Sequence, residues 1–351
     1  EELYTEIEEV IFGRALARSE YVETPGARRG MKQPLSAQQR AVVWERAQDA
    51  RNTLLQQFRV SKNLSRLYLL EALESDRAFR EAASVGRLFV DELQDLAPVE
   101  VKALKSLSRH GVVLAGDERQ AIYQAGMSFR QLGVNVVGHA THLRTNYRNT
   151  RQIAAFARIF QSLWTDEHDA ESIDGSDAYR EGPNVEQWLH ARPEDSQRAL
   201  VQRVEFFVGV LGYDPENIAV LTPFDKQVNR IGQLLQQAGY RTQDIRKTEF
   251  DFDKTLGVRV STLHSAKGIE FPVVMLQVQD LARPRNLSPR LVAEQNFNLV
   301  YVAVTRAMDN LQLFLPDTSD DDVIDLLKKA HASVQERERK EDESIAGEPL
   351  Q

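Results

Sequence analysis

Apolar positions follow two different periods along this chain. Over residues 1–83 they recur at helical spacing, as in EELYTEIEEVIFGRAL. A basic break with Gly and Pro follows, TPGARRGMKQP. Ser36 then reads as the N-cap of PLSAQQRAVVWERAQDARNTLLQQF, and LSRLYLLEALESDRAFREAAS as a third helical region. From Gly86 the pattern changes. RLFVDEL and GVVLAGD are short runs rich in Val and Leu, which predict buried parallel strands, with a helix at VEVKALKSLSR between them. ATHLRTN predicts a third strand and TRQIAAFARIFQSLW a helix. Thr165 to Pro193 lacks a clear period and predicts a loop, apart from a strand at VEQWLH. Strands follow at IAVLTP, VRVSTLH, PVVMLQV and LQLFLP. Helices are expected at DKQVNRIGQLLQQAGY, NFNLVYVAVTRAM and DDVIDLLKKAHASVQERERK, and the last ten residues are expected to be disordered.

Strands alternating with helices imply an α/β fold with parallel sheets covered on both faces. The pattern divides the chain into a helical region (1–85), a first α/β lobe (86–140), a second (141–317) and an acidic tail (318–351). Residues 317–351 hold eleven acids and five bases. Composition adds bounds. Apolar residues at 42% and charged residues at 27% are ordinary for a globular chain. No apolar run approaches the roughly 18 residues of a membrane span. There is no cysteine, which excludes disulfides and thiolate metal sites and fits a cytoplasmic protein. The net charge of −8 argues against nucleic acid only if charge is spread evenly; here the acids are clustered, so a local basic groove is compatible with it.

Several short stretches could carry chemistry. In LFVDELQDL, Asp91 at a strand end can hold Mg²⁺ through water, and Glu92 beside it can deprotonate an attacking water. LAGDERQAIYQ places Asp117 at a second strand end, Gln120 where an amide can sense a terminal phosphate, and Tyr123 as a flat stacking face. In HLRTNYRNT, Tyr147 and Arg148 follow a strand; an Arg there can reach a γ-phosphate. STLHSAKGIEF offers Thr262, His264 and Ser265 as small donors for a phosphate backbone, then a turn at Lys267–Gly268, and then Glu270. LVYVAVTRAM sets Arg306 on an apolar helix. Each stretch alone has an ordinary structural explanation: a solvated acid pair, a packed Tyr, a surface Arg.

In combination and in this order, VDELQD, GDERQAIY, LRTNYRN, TLHSAKGIEF and VYVAVTRA resemble motifs II to VI of the UvrD/Rep-like superfamily 1 DNA helicases, over about Arg87 to Leu315. The resemblance implies two RecA-like P-loop NTPase lobes that sandwich ATP, the first of them incomplete here, and 3′ to 5′ movement on single-stranded DNA or at its junction with duplex. Carried over, Asp91 would hold Mg²⁺, Glu92 would activate water and Gln120 would contact the γ-phosphate. Arg148 and Arg306 would be arginine fingers. Tyr147 would lie against adenine, with Lys267, Gly268 and Glu270 also on the nucleotide side. Tyr123, Thr262 and His264 would face DNA. A cytoplasmic role in DNA repair is implied with them.

Two departures qualify that expectation. The phosphate-cradling GxxxxGK[ST] loop, whose N–H groups and Lys neutralise the β- and γ-phosphates, does not occur in the 351 residues. The expected reason is that this is a fragment whose partner is the N-terminal P-loop segment of the same protein; the alternative is a catalytically degenerate nucleic-acid or protein-binding module on a helicase scaffold. Second, only about fifteen residues separate QQAGYR from GVRVSTLH, where UvrD-like enzymes insert a large helical subdomain. Because that subdomain often restrains unwinding, translocation is expected more firmly than duplex unwinding. The isolated 351-residue chain is expected to hydrolyse ATP scarcely at all in a phosphate-release assay; a robust rate would contradict the reading.

Overall fold

The computed structural model describes residues 2–28, 31–117, 141, 145–165, 178–247, 256–285 and 287–346. Gln120 and Tyr123 lie outside them. The chain forms two compact units: Glu1–Thr141 with Arg283–Gln295, and His142–Ala282 with Asn296–Gln351. Among the described residues, no helix is long and apolar enough to cross a membrane.

The first unit is largely helical. It holds α1 (Glu2–Thr5), a π-helical run (Glu6–Phe12), α2 (Arg18–Glu23), α3 (Ala37–Gln56), α4 (Lys62–Ser75), α5 (Arg77–Ala83) and α6 (Pro98–Leu107). Ser36 caps α3 as its sequence predicts: its hydroxyl accepts the Gln39 N–H (3.2 Å), and the Gln39 side chain accepts the Ser36 N–H (2.8 Å). The third helical region is broken in two at Asp76, whose carboxylate accepts the Phe79 N–H and starts a new helix. Val10, Ile11, Phe12, Tyr21, Ala47 and Leu64 form a core here. The basic break is less loop-like than its composition suggests. Arg28 turns inward and donates twice to the Glu6 carboxylate (2.5 and 2.8 Å), which also accepts the Tyr21 hydroxyl (2.8 Å). Burial, and then that bond to Glu6, push the Tyr21 phenol above its ordinary range. Two short strands, β1 (Leu88–Val90) and β2 (Val112–Leu114), pair in parallel with Val90 opposite Leu114.

The second unit is built on a six-stranded, wholly parallel sheet, so the α/β class and the parallel sheets predicted from the apolar runs are both present. Its strands are β5 (Glu186–His190), β6 (Ile218–Thr222), β7 (Thr242–Asp244), β8 (Val258–Thr262), β9 (Phe271–Gln277) and β10 (Ala307–Pro316), in the spatial order β5-β10-β9-β6-β8-β7. The central strands are apolar throughout because both faces are covered; every residue of β6 is buried. Val204, Phe207, Val228, Ile231 and Leu235 of α8 (Pro193–Gly209) and α9 (Asp225–Gln237) fill the core with β6 and β8. A separate two-stranded parallel sheet joins β3 (Asn146–Thr150) to β4 (Ala178–Arg180), so the described residues of the stretch Thr165–Pro193 hold two strands where one was expected. The helix α7 (Arg151–Ser162) follows β3.

Two helical readings change in extent. Helix α10 runs Pro289–Val304, starting earlier than its apolar stretch implies and ending before Arg306. Arg306 therefore sits in the turn into β10, because its carbonyl accepts the Phe271 N–H at the head of the strand ladder. Helix α11 (Asp322–Ala346) reaches into the stretch expected to be disordered, and its first part is not merely a solvated acidic tail. Val323, Ile324, Leu327 and Ala330 are buried, and His331 bonds through Nε2 to the Val185 carbonyl (3.0 Å).

The Glu6–Arg28 pair is enclosed, with side-chain exposures of 4% and 8%. Removing one partner of such a pair leaves a buried charge unpaired. Arg28→Ala is expected to destabilise the first unit by about 3–5 kcal/mol in chemical denaturation; an unchanged midpoint would show that the pair contributes nothing.

Candidate functional site

In the first unit, both parallel strands open on the same carboxyl edge, and the acids gather there. Asp91 follows β1, and its carboxylate accepts the Glu92 N–H (2.8 Å). Glu92 itself adopts a left-handed backbone (φ 53°, ψ 44°), uncommon for a residue with a side chain and a mark of a specified turn. Both residues are exposed. What holds the turn is Gln94, only 2% exposed. Its amide nitrogen donates to the Glu92 carboxylate, and its amide oxygen accepts the Asp117 N–H (3.0 Å) beyond β2. One neutral side chain thus joins the two acidic motifs. Gly116 makes room for it: a Cβ there would sit 2.6 Å from the Gln94 oxygen and 3.0 Å from the Leu93 Cβ.

In the second unit, the expected nucleotide-facing residues come together at the amino edge of the large sheet. Arg148 on β3 pairs with Glu270 just before β9 (2.5 Å), both about two-fifths exposed or less. Between them and Arg306 stands Asn149, 4% exposed, whose amide donates to the carbonyls of Thr305 (3.1 Å) and Ala307 (2.6 Å) on either side of Arg306. Arg306 is 2% exposed and donates from Nε to the Val302 carbonyl (3.1 Å). Arg180 adds a second tie. It pairs with Asp309 (2.6 Å) and donates to the carbonyls of Arg148 (2.6 Å) and Met308 (3.0 Å). Tyr147 is 72% exposed and lies beside Tyr179, their ring centroids 6.3 Å apart.

Thr262 and His264 are elsewhere, at the carboxyl end of β8. The Thr262 hydroxyl donates to Ser265 Oγ (3.1 Å) and accepts the Ser265 N–H (3.3 Å). Desolvation lowers the His264 imidazole below its usual pKa, which favours the neutral ring. Gly268 supplies the turn at φ +79° that its neighbourhood predicts. Register places the two ends of this motif on opposite edges. Val260 and Met275 both lie opposite Val220, so Thr262 and Phe271 are six strand steps apart, roughly 20 Å along the sheet. The turn-rich connection between Thr262 and Phe271 spans that distance, with His264 near one edge and Glu270 at the other.

Gln94, Gly116, Asn149, Arg180 and Tyr179 do not stand out in the sequence as site residues. Gln94 and Asn149 carry one weak signal, an amide within three residues of a charged candidate.

Residues 246–316, which carry β8, β9, α10 and β10, match the UvrD-like helicase C-terminal domain. This segment is similar to the C-terminal domain of that family. ATP-dependent DNA helicase PcrA of Staphylococcus aureus is 23% identical over 190 residues, covering 51% of this chain and 24% of PcrA. The chain therefore spans about a quarter of the length of that relative. Among solved structures, the C-terminal domain of a possible DNA helicase from Lactobacillus plantarum is 19% identical over 53% of this chain and 96% of its own, with a TM-score of 0.37. Arterivirus nonstructural protein 10, a helicase, is 20% identical over 70% of this chain and 42% of its own, with a TM-score of 0.35.

The UvrD-like match includes the Thr305–Ala307 turn that Asn149 grips. Asn149→Ala strips two buried carbonyls of their donor, so a loss of about 1–3 kcal/mol in the unfolding of the second unit is expected. An unaltered urea midpoint would show that Asn149 does not hold the turn.

Proposed function

We propose that this chain is part of an ATP-driven superfamily 1 DNA helicase or translocase that moves 3′ to 5′ on single-stranded DNA. The observation that carries the reading is the Gln94 bracket: it presents Asp91, Glu92 and Asp117 at one strand edge without neutralising any of them. Asp91 is the Mg²⁺ ligand and Glu92 the base for the attacking water. Arg148 and Arg306 balance charge on the γ-phosphate, and Gln120 senses that phosphate. Tyr147 lies against the adenine, with Lys267, Gly268 and Glu270 near the nucleotide. Thr262, His264 and Tyr123 contact single-stranded DNA or its junction with duplex. The absence of cysteine suits a reducing cytoplasm, where we place the protein in DNA repair.

The donor set fits Mg²⁺. No cluster of three or more acidic or His ligands exists among the described residues, and Mg²⁺ needs none, because it takes one or two carboxylates with phosphate oxygens and water. When bound, the metal neutralises charge on the transferred phosphoryl group. The chain's own contribution is to aim Asp91 at the metal and to hold the Glu92 carboxylate in place through Gln94.

The alternative reading is a degenerate nucleic-acid or protein-binding module that kept the scaffold. Enzyme assays of the full-length gene product separate the two. Addition of single-stranded DNA is expected to stimulate ATP hydrolysis. Glu92→Gln, which keeps an acceptor for Gln94, is expected to lower turnover by about 10²–10⁴-fold while leaving nucleotide binding within about twofold. Hydrolysis that survives the substitution removes Glu92 as the base. DNA binding without any hydrolysis in the unmodified protein establishes the degenerate module instead.

A further inference from the structure

We propose that Tyr179 is a second base-contacting residue, forming with Tyr147 an aromatic platform for the purine of the bound nucleotide; this rests on the proposed contact of Tyr147 with adenine. Tyr179 is 78% exposed, yet the strand that carries it is held on both sides. Before it, Ala178 is 2% exposed and its carbonyl accepts the Arg151 Nε–H (3.1 Å). After it, Arg180 is fixed by Asp309 and by the carbonyls of Arg148 and Met308. The three residues of β4 thus hold one phenol ring outward beside Tyr147, with an interplanar angle of 43°. A pre-positioned Tyr loses little freedom when a ligand stacks on it. Because the rings are tilted by 43°, a planar purine stacked on one meets the edge of the other, so the pair offers it two contacts where a single phenol offers one.

Position decides between a nucleotide base and a base of single-stranded DNA. The Arg180 tie to the Arg148 carbonyl keeps this ring pair with Arg148 and Glu270, at the amino edge of the sheet. Thr262, at the carboxyl end of β8, lies roughly 20 Å away along the strands. The platform therefore belongs with the phosphate-directed cation.

The test uses the full-length protein with Tyr179→Ala, Tyr179→Phe and Tyr147→Ala, titrated with a fluorescent ATP analogue and with CTP as competitor. Tyr179→Ala is expected to raise the nucleotide Kd about tenfold, as for one lost base–aromatic contact. It should narrow the preference for ATP over CTP and raise KM more than it lowers kcat. Tyr179→Phe should restore both. If Tyr147→Ala weakens nucleotide binding and Tyr179→Ala does not, the platform is overturned and the role of Tyr147 stands. If neither changes nucleotide binding, both assignments fall. Weaker binding of a single-stranded oligonucleotide by Tyr179→Ala, with nucleotide binding unchanged, overturns the proposal in favour of a DNA contact.

Discussion

Charged groups that are to act on a ligand must be held in place without being neutralised, and here buried amides meet much of that constraint. Gln94 grips the Glu92 carboxylate with N–H and the Asp117 backbone with C=O. Asn149 grips two carbonyls that flank Arg306. A Lys in place of Gln94 would hold Glu92 as well but would pair off its charge. An amide has both a donor and an acceptor and no charge, so it can join two chain segments and leave the electrostatics of their neighbours intact. Glycine completes the arrangement at Gly116, where close approach leaves no room for a Cβ.

The cation–acid contact between Arg148 and Glu270 is of a different kind. Both side chains remain partly exposed, and pairs in such settings contribute little because solvent screens them. A weak pair can keep Arg148 oriented and still release it. Arg306, by contrast, is enclosed and bonded to its own helix end, so its guanidinium is ordered by its local turn.

The connection between β8 and β9 gives the second unit a further property. In a parallel sheet, a chain leaving one strand at its carboxyl edge must return to the amino edge before entering the next. Here the return is only eight residues long and hops over β6. It therefore carries its polar residues, from His264 to Glu270, across the sheet in a single short segment.

Much of this was legible in the chain itself. Period changes marked the helical start and the parallel strands, and the ordered motifs brought out Asp91, Glu92, Arg148, Glu270 and Arg306 because their side chains are chemically distinctive. Burial of Arg28 was hidden, since its partner Glu6 is 22 residues away and its local sequence is that of a basic loop. Strand β4 was also missed: three residues are too few to show a period, and they are held by contacts to β3 and by the ties of Arg180 to β10. The sequence by itself determined which reactive groups exist, in what order, and on what kind of element, because these depend on residue type and local spacing. Only the tertiary structure decided which of them share an edge and which neutral residues join them, because that follows from strand register and from amides that find their partners far along the chain.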